Sequence, residues 1–263
     1  MNKLKFYSIF ILGFSIYFYL DAAYFSYLQK EVLLLTKSKS AAHVFAYTVT
    51  LIPLLITTLL LKKSKQSLFN SFGLSRGIII GLIFAFTVTL PMLIGYAIKF
   101  KINTDLSPDT VFINTLSSAF FEEIIYRAFL FGMLYRFTQL GFLLSVFFGS
   151  LLFGVIHLYQ ASNISETIGV FLITFLGSLF FSWIYAEWKF NLWAAIFLHC
   201  LMNLYWLVFN VDEIAIGGMY ANIFRFSVLL IAITITIFYK RKQKIPLKIT
   251  RKTLWMKSQE ELQ

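Results

Sequence analysis

Charge is what this chain has least of. Only 13% of its 263 residues are Asp, Glu, Lys or Arg, and only 12 of them are acidic. Soluble domains carry about 25% charged residues, so a soluble globular protein is excluded. Cysteine is nearly absent: Cys200 stands alone, which rules out an intramolecular disulfide. It lies in an apolar run and is expected to pack as a small hydrophobe. No internal repeat, low-complexity stretch or soluble domain interrupts the chain. No His-Glu-x-x-His occurs. No basic patch is interleaved with exposed aromatics on a soluble module, so the net charge of +11 does not point to nucleic acid.

What is there in quantity is apolar side chain. Hydrophobic residues make up 59% of the chain, including 31 Phe and 14 Tyr, which suit lipid contact and interfacial belts. The expected fold is all-α, a polytopic membrane protein of about eight transmembrane helices. Apolar runs of roughly the 20 residues that a bilayer core requires fall at about 6–20, 41–61, 77–98, 111–140, 142–159, 167–188, 192–209 and 223–239. Lys3-Leu-Lys5 before the first run resembles the start of a signal peptide. The run continues past Asp21 with no small-x-small cleavage site, so a retained first helix is expected. Pro91 falls inside the third run, where neighbouring helices satisfy the carbonyl it frees. Ser107-Pro108-Asp109 has the chemistry of a helix start. The whole chain, 1–263, reads as one transmembrane domain, with a basic tail over 240–263.

Eight spans put both termini on one side. Sixteen of the 23 Lys and Arg then fall on that side, against five on the other. Cations retained in short loops mark the cytoplasmic face, so both termini of a cell-membrane protein are expected in the cytoplasm.

One stretch breaks the apolar pattern. Residues 119–132 read Ala-Phe-Phe-Glu-Glu-Ile-Ile-Tyr-Arg-Ala-Phe-Leu-Phe-Gly, with Glu122, Glu123 and Arg127 inside a membrane run. A charge at the bilayer centre costs about 2.5–3.5 kcal/mol on insertion scales, so three of them within six residues mark a functional site by default. Residues four apart share a helix face, so Glu123 and Arg127 form a supporting ion pair. Glu122 points about 100° away from Glu123 and has no cation on its own face. Its partners are sought in other runs. Phe153-x-x-x-His157 closes the fifth and His199-x-x-x-Asn203 lies in the seventh. Each also has a structural reading, a satisfied core histidine or an interhelical amide hydrogen bond. His43 has no motif around it.

If Glu122, His157, His199 and Asn203 converge, they form a set for amide hydrolysis by an activated water. Glu122 would be the general base, His157 would help hold or polarise the water, and His199 and Asn203 would donate to the oxyanion. Cys200, one residue from His199, faces elsewhere and does not make a nucleophile with it.

Glu122-Glu123-x-x-x-Arg127, Phe153-x-x-x-His157 and His199-x-x-x-Asn203, in this order, resemble the three motifs of the CPBP family. This family comprises the CAAX prenyl endopeptidases and the bacteriocin-processing or immunity proteins also called Abi. Asn191-Leu192-Trp193 before the third motif fits as well. The resemblance covers about 111–209, the expected catalytic core. Ala128 stands where many members have Gly, and Ala194 where many have Pro. Neither is a catalytic position. The resemblance implies an eight-helix intramembrane endopeptidase in which Glu122 and His157 activate water and His199 and Asn203 stabilise the oxyanion. Members were long described as metalloproteases and are now more often read as glutamate-dependent. No cofactor is expected. If a metal were required, Glu122, His157 and His199 would be a zinc set. Expected partners are membrane lipid and a peptide or lipid-modified protein. The alternative is a non-proteolytic immunity factor or membrane scaffold of the same fold. A transporter is disfavoured, since no paired broken helices appear.

Overall fold

The computed structural model describes residues 2–61, 67–75 and 77–258. Lys62, Lys63, Lys65 and Arg76, four of the cations counted above, and the tail beyond Ser258 lie outside the described residues.

Apolar runs become helices here because no water is available to satisfy a bare backbone. Among the described residues the only strand-like pairing is an isolated bridge between Leu140 and Met256. Helix α1 spans Lys3–Thr36 and α2 spans Lys39–Leu61. The short α3 is Leu68–Phe72, and α4 is Ile78–Lys99. Helix α5 runs continuously over 108–137. Then follow α6 (Phe142–Gln160, ending in a 3-10 turn), α7 (Ile164–Glu187), α8 (Leu192–Val208) and α9 (Met219–Lys242).

Six of these rods are long and apolar enough to cross a membrane. The protein is a multi-pass membrane protein. The other two expected spans are helical but differ from the six in kind. Helix α8 is 17 residues long, and α5 is the rod that carries the three charges. The first span is longer than its apolar run suggested. Asp21 does not end it, because Thr50 on α2 donates to the Asp21 carboxylate at 3.2 Å. A left-handed Lys37 stops it, its N–H returning to the Leu33 carbonyl.

Capping chemistry sets the other ends. The Ser38 hydroxyl accepts from Ala41 N–H at the start of α2. Ser107 accepts from Thr110 N–H and Pro108 follows at the first helical position, so α5 begins three residues before the apolar run does. Helix α4 is helical throughout, Pro91 included.

Helix α5 is the centre of the bundle: every residue from Glu123 to Tyr135 is buried. It is not a uniform α-helix. Phe112–Ser117 and Glu123–Phe131 are π-helical, a widened turn found mostly at functional sites. The plain α-helical spacing assumed from the sequence is corrected on this point. Around α5, α8 packs on α4, α6 on α7, and α1 on α2. Gly81 permits the α4–α8 approach, since a Cβ there would sit 2.7 Å from the Trp193 carbonyl carbon and 2.8 Å from Ala194 N. Asn191 and Trp193 complete the tie: the Asn191 amide donates to Gly77 O and the Trp193 indole to Leu74 O, both at 2.9 Å. The Asn-Leu-Trp segment thus fixes the start of α8, two turns before His199.

After α9 the chain folds back instead of trailing away. Gly141, Phe142 and Leu143 N–H groups, which open α6, donate to the carbonyls of Trp255, Thr253 and Leu254 at 2.7–2.9 Å. The segment through Thr253–Trp255 therefore caps a helix whose first amides have no partner of their own.

Candidate active site

Helix α5 carries Glu122 and Glu123 roughly 20 Å along its axis from Pro108, at about 1.5 Å per residue. That depth is near the middle of the rod. Glu123 is fully buried and Arg127 is 1% exposed, so this is a desolvated ionic group. The Glu123 carboxylate works in two directions. Its Oε1 lies 2.8 Å from His199 Nδ1 on α8. Its Oε2 lies 3.2 Å from Arg127 Nε, an ion-pair distance without hydrogen-bond alignment. The expected i,i+4 pair is present, and the carboxylate between them also fixes the ring of His199.

That contact sets the tautomer. An ionised carboxylate only accepts, so His199 Nδ1 carries hydrogen and gives it to Glu123. The other nitrogen, Nε2, faces Glu122 Oε2 at 3.9 Å. This exceeds hydrogen-bond length and is a separation that a water or a substrate atom spans. His157 is fixed by a similar rule. Its Nδ1 is 2.6 Å from the Phe153 carbonyl one turn back on α6, so Nδ1–H donates and Nε2 is left for other work. Asn203 reaches across to α5, its amide donating to Asn114 O at 3.2 Å.

Glu122, Arg127, His157, His199 and Asn203 all line one cavity of about 460 Å³. Glu123 stands behind His199, off the wall. Cys200 is not on the wall either. The cavity continues toward the loop after α8, where Asp212 and Glu213 lie, and to Arg225 at the start of α9. These rim residues were not singled out from the sequence and carry no motif. Phe153 and Phe181 were also missed in their role: the Arg127 guanidinium lies 4.4 Å from one ring centre and 5.3 Å from the other. Phe153 stood in the second motif, but nothing near Phe181 could have signalled it. His43 is buried with Nδ1 2.9 Å from Ser117 Oγ, away from the cavity.

A zinc site needs three or four ligands pointing at one centre. Among the described residues no group of three His, Cys, Asp or Glu side chains is so gathered. His199 and His157 each commit Nδ1 within the protein. Those contacts leave Nε2 of each ring open, as in metal-bound histidines; it is the lack of a gathered group among the described residues that leaves Glu122, His157 and His199 short of a three-ligand set in this arrangement.

Comparisons with known proteins match the part of the chain that carries this site. Residues 106–205 match the family of Rce1-like type II CAAX prenyl endopeptidases. All three motifs fall inside that region. A protein of Bacillus subtilis (strain 168) named "Putative membrane peptidase YdiL" is 27% identical over 107 residues, 41% of this chain. The match spans 39% of that relative's length. No solved structure matches the chain. The Rce1-like region corresponds to α5–α8 with the end of the preceding loop, the helices that hold the candidate site. Helices α1–α4 and α9 lie outside it.

Proposed function

We propose that the protein is an intramembrane endopeptidase that hydrolyses a peptide bond of a membrane-associated protein or peptide by glutamate-activated water. The observation that carries this is the pair of atoms facing each other across the cavity wall, Glu122 Oε2 and His199 Nε2 at 3.9 Å, with the histidine locked from behind by Glu123. A buried ionic cluster that served packing alone would have no reason to line a cavity.

In this reading Glu122 takes a proton from water as its oxygen attacks the scissile carbonyl carbon. His157 Nε2 accepts from the same water and orients it. The tetrahedral oxyanion is held by Asn203 Nδ2 and His199 Nε2. Since Nδ1–H of His199 already serves Glu123, donation from Nε2 requires the doubly protonated ring. Glu122 then passes its proton to the departing amine as the C–N bond breaks, leaving a carboxyl group and an amine. Arg127 balances Glu123, which holds His199 in place. No cofactor enters the scheme, and both termini are read as cytoplasmic from the cation asymmetry.

The test is a proteome comparison by mass spectrometry of cells carrying the wild type and Glu122→Gln, followed by cleavage of the identified substrate by purified protein. A substrate cut only by the wild type is expected. A full cellular phenotype with Glu122→Gln would instead favour an immunity factor or scaffold of the same fold.

A further inference from the structure

Arg127 holds more hydrogen-bonding capacity than its ion pair uses. A guanidinium has five N–H donors in a planar fork. Here Nε faces Glu123, and neither Nε nor Nη1 has a hydrogen-bond partner among the described residues. The group is 1% exposed. Buried donors without acceptors are rare in native structures and expensive. The side chain is also held rigidly, between the rings of Phe153 and Phe181. Both rings line the same cavity as Arg127 itself. Phe181 further abuts His199, with ring centres 5.4 Å apart, and Phe153 abuts His157 at 4.4 Å. The fork is thus fixed beside both histidines of the candidate site.

We propose that Arg127 is a substrate-positioning residue, its terminal guanidinium N–H donating to a main-chain carbonyl oxygen of the bound peptide. This rests on the peptidase reading for the kind of ligand. The charge of the site selects a neutral acceptor over an anion. Arg127 is already paired with Glu123 and Glu122 faces the same cavity, so a carboxylate or phosphate entering here would meet Glu122, whereas a peptide carbonyl brings a lone pair without a charge. The planar fork suits a carbonyl held in one orientation. That orientation is what a scissile bond beside Glu122 needs.

The test separates positioning from mere support of Glu123, and it does not depend on turnover. Radiolabelled N-acetyl-trileucine amide is bound to the purified full-length Glu122→Gln protein in detergent, alongside analogues in which each internal amide in turn is a trans-alkene isostere. One isostere is expected to bind about tenfold more weakly, the loss of one hydrogen bond to a charged donor. That penalty should disappear in Glu122→Gln, Glu123→Gln, Arg127→Met, and shrink in Glu122→Gln, Arg127→Lys, which keeps the counter-charge for Glu123 and loses the fork. A purely structural Arg127 would weaken all the ligands equally and leave the ratio unchanged. An unchanged ratio in both variants, equal binding of every isostere, or no saturable binding to the Glu122→Gln protein would each overturn the proposal. Loss of the peptidase reading would show separately, as cleavage surviving Glu122→Gln.

Discussion

Among the described residues, two buried pairs of a carboxylate with a Lys or Arg are built differently. At the end of the bundle where α7 and α9 finish, Glu187 and Lys240 form a pair that is 0% and 4% exposed at the side chains. Both of its members have further partners. Glu187 accepts from Lys240 Nζ and from the backbone N–H groups of Lys248 and Ile249, at 3.0 and 2.9 Å for the two amides. Lys240 also donates to Pro246 O at 3.1 Å. In the middle of α5, Glu123 and Arg127 are as deeply buried, but the guanidinium keeps unpartnered donors and lines a cavity. A saturated pair closes a structure, and an unsaturated one beside a cavity is held ready for something else. Buried ion pairs are weak evidence for stability on their own. How completely their hydrogen bonds are used is what tells these two apart.

The sharpest way to test that difference is at the carboxylates. Glu122→Gln keeps the shape of the side chain and removes the base. Cleavage per mole of folded protein should fall by about 10²–10⁴-fold, the usual worth of a positioned general base. Glu187→Gln should leave that rate unchanged while lowering the thermal midpoint in detergent. An equal loss of rate in both variants would erase the distinction. Next in size are the proposed oxyanion donors. His199→Ala and Asn203→Ala should each slow the chemical step by about 10²–10³-fold, read as single-turnover rates at saturating substrate. Loss of binding without loss of rate would remove them from that role.

Stability variants probe the same contrast from the other side. Arg127→Ala strands Glu123 with only His199 beside it, and breaking a buried pair typically costs about 3–5 kcal/mol. Lys240→Ala strands Glu187, which still accepts from two backbone amides, so its loss should be the smaller of the two. Membrane abundance and detergent thermal midpoints rank them. Glu123→Gln with Arg127→Gln should recover much of the abundance that Arg127→Ala loses. Normal abundance for Arg127→Ala alone would show that Glu123 does not need its cation.

The sequence shows one of these two regions clearly and hides the other. Motif residues in mid-run, such as Glu122 and His199, stand out because charge inside an apolar stretch has no local explanation. The Glu123–Arg127 pair was legible because helical spacing is local. The bond from Glu123 to His199 was not, since it spans 76 positions and exists only once α8 is docked on α5. The π-turns of α5 leave no mark that separates them from α-helix in an apolar sequence. Lys240 was counted among the cations of the basic tail, because the position of its partner Glu187 depends on how α7 and α9 pack. The helix start at Ser107 was readable from capping chemistry, and the eight-rod plan from run length; the cap at Ser38 was not read, because the second apolar run begins only at about residue 41.

The smallest expected effect lies in the segment that folds back after α9. Thr253 holds that segment in a turn: its hydroxyl accepts from Thr250 N–H at 2.8 Å and donates to Lys248 O at 2.7 Å. The same residue's carbonyl receives Phe142 N–H at the start of α6. Thr253→Val keeps the volume and removes both side-chain hydrogen bonds. Each is worth about 0.5–1.5 kcal/mol, so a loss of roughly 1–2 kcal/mol is expected from the two together, since they share one oxygen. The backbone carbonyl remains, so the cap on α6 should persist. The thermal midpoint should drop by a few degrees, with cleavage per mole of folded protein unchanged. The turn lies beside the Glu187–Lys240 pair and at the far end of α6 from His157. A change in rate from Thr253→Val would mean that this end communicates with the cavity, and the division between a closed structural pair and an open functional one would have to be given up.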